Sequence, residues 1–138
     1  MNTAIKTMIG LLVTLMLFHI CILLKIIPYE ITWGGRLQND NQMYAFETFS
    51  LTVNTLLLVA VLIKGRYLKP ILPFRVVNII LWCFVVLFGL NTIGNLVAKT
   101  TFEKFFAIVT LLSSVLLWII LVKDKNSQSD ETLEQQGV

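Results

Sequence analysis

The chain has 138 residues, of which 57% are hydrophobic and 14% charged. Soluble domains carry about 25% charged residues, and so short a chain has too much surface per unit volume to hide that much apolar area from water. Composition therefore excludes a soluble globular domain and a disordered chain, and leaves a polytopic membrane protein. Lys and Arg total 11 and Asp and Glu 8, a net charge of +3. The cations sit at the ends of apolar runs and not in a basic stripe interleaved with aromatics. The excess reads as membrane topology and gives no indication of nucleic-acid binding.

The first apolar run covers 8–27, after a weakly basic start at Lys6. It exceeds the roughly 7–15 residues of a signal-peptide core. Pro28, Tyr29 and Glu30 follow it in place of a small-residue cleavage site. It is read as a retained first transmembrane helix. Further runs cover 44–63, 74–97 and 102–122. Crossing about 30 Å of hydrocarbon takes roughly 20 helical residues, so each run suffices. The runs are continuous and not alternating, which favours helices over a barrel. The expected fold is an all-α membrane protein: a four-transmembrane-helix bundle in one domain, 1–123, with a disordered, polar, cytoplasmic tail at 124–138.

The first connection contains PYEITWGGRLQNDNQ. Pro28 ends a helix, and Gly34 with Gly35 permits positive φ and a tight fold-back. Trp33 and Tyr44 suit the membrane interface. Trp33 and Arg36 are candidates for a cap over the helix ends. The second connection, KGRYLKPILP, is broken by Gly65, Pro70 and Pro73. The third is only Ala98 to Thr101, so the last two helices must form a tight antiparallel hairpin. Thr100 and Glu103 have the spacing of a capping box.

Cation placement sets the expected orientation. With both termini inside, the inner face holds Lys6, Lys64, Arg66, Lys69, Arg75, Lys123 and Lys125, and the outer face Lys25, Arg36, Lys99 and Lys104. The bias favours N-in and C-in, in the plasma or inner membrane of the cell. No internal repeat of the inverted-transporter kind is visible.

Function in such a chain is sought where polar groups persist in the membrane. An ionisable group near the bilayer centre costs about 2.5–3.5 kcal/mol on insertion scales. The first helix carries His19 and, at its expected end, Lys25. The second carries Glu47, Ser50 and Asn54 at i, i+3 and i+7, on one face. The third carries Asn91 and Asn95. Counted along helices with these boundaries, His19 and Asn54 fall near the midplane, while Lys25, Glu47 and Asn95 lie one turn from the outer edge. This predicts a polar wedge opening outward, with His19, Glu47, Asn54, Asn91 and Asn95 as candidate ligand-binding residues. Matching depth makes Lys25 and Glu47 a candidate ion pair. His19 and Glu47 are separated in depth by about 10 Å at 1.5 Å per residue, which counts against their contact. Asn, Ser and Thr also bond across helices, at about 0.6 kcal/mol each.

One histidine and no nearby acidic cluster give no metal site. No nucleotide, dinucleotide or hydrolase fingerprint is present, so no cofactor is expected. Cys21 and Cys83 lie in apolar runs without CxxC spacing, as small hydrophobes do. The leading functional expectation is binding, with transport as an extension, of a small amphipathic or lipidic molecule in the wedge. Transport calls for a homo-oligomer, since four helices enclose little volume. The alternative is a structural or regulatory subunit docked on a larger membrane protein through Thr110, Ser113 and Ser114. An enzyme acting on a lipid, with His19 and Glu47 as acid and base, ranks last.

Overall fold

The computed structural model describes the backbone of residues 2–135 and the side chains of residues 3–125 and 135. Four helices account for most of it: α1 (Asn2–Leu23), α2 (Asp40–Lys64), α3 (Phe74–Leu96) and α4 (Thr101–Gln135). Two single 3-10 turns, Tyr29–Ile31 and Trp33–Gly35, lie between α1 and α2, and no strand occurs among the described residues. All four helices are long and apolar enough to cross a membrane. With 22, 25 and 23 residues in α1, α2 and α3, each of these spans about 33–38 Å. Only 28–33% of each apolar window is buried. The apolar remainder has no protein against it and far exceeds what a soluble monomer leaves bare. This is the architecture of a small multi-pass membrane protein.

The helices form a ring in chain order, with α4 closing against α1. The main core joins Ile5, Met8 and Leu12 of α1 to Leu57, Ala60 and Val61 of α2. Val77, Leu81, Phe84 and Phe88 of α3 and Leu117 and Leu121 of α4 complete it. These residues recur at three- and four-residue spacing, so one face of each helix turns inward. Within the membrane there is little hydrophobic drive for helices to associate, and close packing with interhelical hydrogen bonds takes over. The α3–α4 hairpin shows this. Thr92 Oγ1 and Thr110 Oγ1 share a hydrogen bond of 2.9 Å, and Ser114 Oγ donates to the Val85 carbonyl at 2.8 Å. Ser113 is fully buried. The Thr110, Ser113, Ser114 stripe therefore faces the bundle interior and offers no outward docking surface.

Helix ends differ from the sequence expectation in four places: α1 starts at Asn2 and not at 8, α2 starts at Asp40 and not at 44, and the far ends of α1 and α4 also move. α1 stops at Leu23 although the apolar run continues to Ile27. The stop is a Schellman cap: Ile26 N–H donates to the Cys21 carbonyl and Lys25 N–H to the Ile22 carbonyl, both at 2.9 Å. Lys25 takes the left-handed conformation, φ 58°, that glycine usually supplies there. α4 continues to Gln135, beyond the apolar boundary. Between Lys123 and Gln135 there is neither Pro nor Gly to break it. The remainder of the tail, 136–138, lies outside the described residues.

The end of the bundle that carries the chain termini is tied by charge. Lys64, 3% exposed, bonds the Asn78 side chain at 2.7 Å and forms an ion pair with Asp124. One lysine thus joins α2, α3 and α4. Removing a partner from a buried pair leaves an uncompensated charge, at about 3–5 kcal/mol where burial is complete. Asp124 is 23% exposed, which lowers the cost. Asp124→Ala is expected to destabilise the protein by about 2 kcal/mol, read as thermal unfolding in detergent. The double change Lys64→Met/Asp124→Leu is expected to recover most of that loss.

Candidate functional site

The opposite end of the bundle is capped by residues 24–39. Trp33, Gly34 and Gly35 all have positive φ, 54°, 68° and 66°. Glycine adopts that region freely, while an L-residue with a Cβ is disfavoured there by about 1–2 kcal/mol. Two carboxylates hold the turn in place. Trp33 Nε1–H donates to Glu47 Oε1 at 2.8 Å, and Gly34 N–H donates to Glu103 Oε1. Glu103 forms half of the expected capping box: its N–H donates to Thr100 Oγ1 at 3.2 Å, while its carboxylate accepts at Oε2 from the Thr100 hydroxyl, at 2.7 Å, and not from the Thr100 N–H.

Glu47 is the centre of this end. It has 0% exposure, on the inward face of α2 beside Met43 and Ser50. Its second oxygen, Oε2, lies 2.5 Å from His19 Nδ1. With the carboxylate ionised, both oxygens accept, one from the Trp33 indole and one from His19 Nδ1–H. The His19 side chain keeps 16% exposure. Phe18, next to it, packs edge-on to the imidazole at 5.8 Å and reaches Phe106 of α4 at 5.0 Å. Trp33 packs on Phe46 at 4.9 Å between ring centres. A second small core of Ile22, Leu37 and Met43 fills the space beneath the loop.

The expected 10 Å separation of His19 and Glu47 is therefore corrected to direct contact. The early stop of α1 is the reason. With the helix running from Asn2 to Leu23, His19 stands one turn from its end and not at its middle. The same early stop frees Lys25, which pairs with Asp40 at the start of α2 and not with Glu47. The hydrogen bond to Asp40 holds the Lys25 ammonium above the ordinary lysine pKa. Its charge is constant through the physiological range.

The remaining sequence candidates separate from this pair. The Asn54 amide donates to the Ser50 carbonyl of its own helix at 2.8 Å. Asn91 is exposed on the outer surface of α3 and Asn95 is half-buried. Arg36 is exposed, with its side chain beside Gly34. Residues that sequence reasoning missed are Glu103 as a loop anchor and Asp124 as the partner of Lys64. The capping-box spacing was the one available signal for Glu103, and it accounts for only one of that residue's two tasks.

The arrangement is closed: every buried side-chain nitrogen and oxygen among the described residues has a hydrogen-bond partner. The loop fills the expected wedge. Cavities of about 440 and 220 Å³ lie at the other end. No cluster of three or more His, Cys, Asp or Glu side chains suited to a metal occurs among the described residues. Chemically, Glu47 and His19 can hold a cationic or hydrogen-bond-donating group, and can pass a proton between them. No family model, curated protein or solved structure matches the chain.

The network makes a specific demand. Leucine at position 47 removes both acceptor oxygens, so the Trp33 indole and His19 each lose their partner. The backbone strain at Trp33 then favours release of the loop. In a Trp82→Phe/Trp118→Phe background, Glu47→Leu is expected to raise acrylamide quenching of Trp33 and to lower stability by about 1–3 kcal/mol. Quenching equal to that of the parent would show that Glu47 does not hold the loop.

Proposed function

We propose that the protein lies in the plasma or inner membrane with both termini cytoplasmic. In this orientation it binds a small amphipathic or lipidic molecule at the outer end of the bundle. Glu47 and His19 fix the polar head, and the Trp33–Gly35 turn closes over it. The observation that carries this reading is the Glu47 carboxylate, fully buried and held jointly by a histidine and by the indole of a strained loop. Ionisable groups kept inside a membrane bundle mark functional sites by default. Backbone strain is retained where the surrounding structure over-determines it, which concentrates it at ligand clamps and switches. A ligand ammonium or hydroxyl replacing the indole N–H would keep Glu47 satisfied and let Trp33 relax, so opening need not strand a buried charge.

The orientation is supported by the cations of the α2–α3 connection and of both termini. A fluorescent-protein fusion at the C-terminus is expected to fluoresce, and alkaline phosphatase fused after Gln38 is expected to be active. The reverse pattern would overturn the orientation. For binding, native mass spectrometry of the chain released from nanodiscs is expected to show a discrete adduct that is lost in Glu47→Gln and retained in Trp33→Phe, since the ligand takes the place of the indole donor. Trp33→Phe keeps the ring and removes only the donor. A bare wild-type chain would overturn ligand binding. A chain recovered only with another membrane protein would favour the partner-subunit reading.

A further inference from the structure

The larger cavity, about 440 Å³, lies at the terminal end where the chain passes from α2 to α3. Arg66, Tyr67, Lys69, Pro70 and Phe74 line it. Its construction follows from how α2 ends. A second Schellman cap closes that helix: Tyr67 N–H donates to the Leu62 carbonyl at 2.9 Å and Arg66 N–H to the Ile63 carbonyl at 3.0 Å. The left-handed residue of this cap is Arg66, φ 61°, and not the adjacent Gly65. Gly65 serves another purpose. A β-carbon there would stand 2.8 Å from the Tyr67 ring and 2.9 Å from Ile5 Cγ2. The glycine leaves room for the close approach of the Tyr67 ring, which is one wall of the cavity.

Among the described residues, no carboxylate compensates the charges at this wall. Asp124, the carboxylate at this end of the membrane-spanning core, is already taken by Lys64. Among the described residues, Arg66, Lys69 and Arg75 have no acidic partner. All three are exposed, and the apolar residues Leu68, Ile71 and Phe74 beside them are exposed as well. Two cations over an apolar and aromatic floor, at the boundary of a membrane-spanning helix, match a phosphate group joined to hydrocarbon. Basic pockets between transmembrane helices on the cytoplasmic side recognise such headgroups. Guanidinium and ammonium groups together supply both forked and point-charge contacts to phosphate.

We infer that the Arg66–Lys69 cavity binds the phosphate headgroup of an anionic phospholipid. Arg66 and Lys69 hold the phosphate, and Tyr67 and Phe74 flank the glycerol and upper acyl region. The left-handed backbone at Arg66 aims its side chain into the cavity mouth at the expense of local stability.

The test uses the full chain in detergent, titrated with phosphatidylglycerol or phosphatidylcholine and read by native mass spectrometry. Phosphatidylglycerol is expected to bind in preference. Arg66→Asn/Lys69→Gln is expected to weaken it about tenfold or more, since asparagine tolerates the left-handed backbone. Lys6→Gln, which removes an exposed cation on another helix at the same end, is expected to leave it unchanged. Arg66→Gly is expected to raise the melting temperature while weakening binding, a combination that a purely structural arginine does not give. Equal binding of the two lipids, or undiminished binding in the double variant, would overturn the site. Displacement of the lipid by millimolar inorganic phosphate would overturn the lipid assignment and leave a free-phosphate site.

Discussion

A carboxylate without solvent exposure has to find its donors inside the protein, because an uncompensated buried charge costs several kcal/mol. Glu47 finds one on α1, at His19, and one on the loop between α1 and α2, at Trp33. Its position thereby decides how α1 lies against α2 and draws the loop across the bundle end. Glu103 extends the same constraint to α4, because its carboxylate receives the Gly34 N–H. Two carboxylates on different helices therefore fix one turn of backbone. That turn adopts a conformation which its own residues, Trp33 above all, would not choose.

The bundle is tied at both ends and packed in between. At the terminal end Lys64 joins α2, α3 and α4 through Asn78 and Asp124. In the middle the contacts are aliphatic and aromatic, with the Thr92–Thr110 hydroxyl pair, among the described residues, as the one bond there between side chains of different helices. This distribution suits a chain surrounded by lipid. Apolar side chains gain little by leaving lipid for a protein interior, so they do not by themselves choose one helix arrangement over another. Polar groups do choose, since each alternative arrangement leaves a donor or carboxylate unmet. His19, Glu47 and Lys64 select the ring order that the apolar residues then fill.

The spans were legible because their signal is composition over some twenty residues, which a bilayer imposes directly. The α3–α4 hairpin was legible from its short connection, and the Thr100–Glu103 cap from its spacing. The end of α1 was not. Pro28 is the visible breaker, yet the helix ends at Leu23 through backbone bonds made by Lys25 and Ile26, neither of which is a usual stop residue. That shift of one turn displaced His19 to mid-membrane in the sequence reading and hid its contact with Glu47. Asn54 and Asn91 were overvalued for a different reason. Sequence shows that a helix carries an amide but not that the amide bonds its own backbone, as Asn54 does, or faces outward, as Asn91 does. Lys64 reads as a topology cation because its acid, Asp124, is sixty positions away, just past the end of the apolar run.

Among the described residues, three other than glycine take positive φ: Lys25, Trp33 and Arg66. Two of them adjoin glycines that could have relieved the strain by a shift of one position in sequence. At 33–35 the turn needs three successive left-handed residues, so Gly34 and Gly35 are both already used. At 65–66 the glycine is spent on the close approach of Tyr67 and Ile5, and the left-handed position falls to an arginine. In each case the strained residue carries a chemically specific side chain, an indole donor or a guanidinium, aimed from the end of a helix or turn. Strain of this kind persists only where packing and hydrogen bonds over-determine the backbone. The bonds of Glu47 and Glu103 do this for Trp33, and the Schellman cap with the Ile5 contact does it for Arg66. The two ends of the bundle thus share one device with opposite aims: the strained backbone turns the Trp33 indole inward to the buried Glu47, and carries the Arg66 side chain at the wall of the cavity.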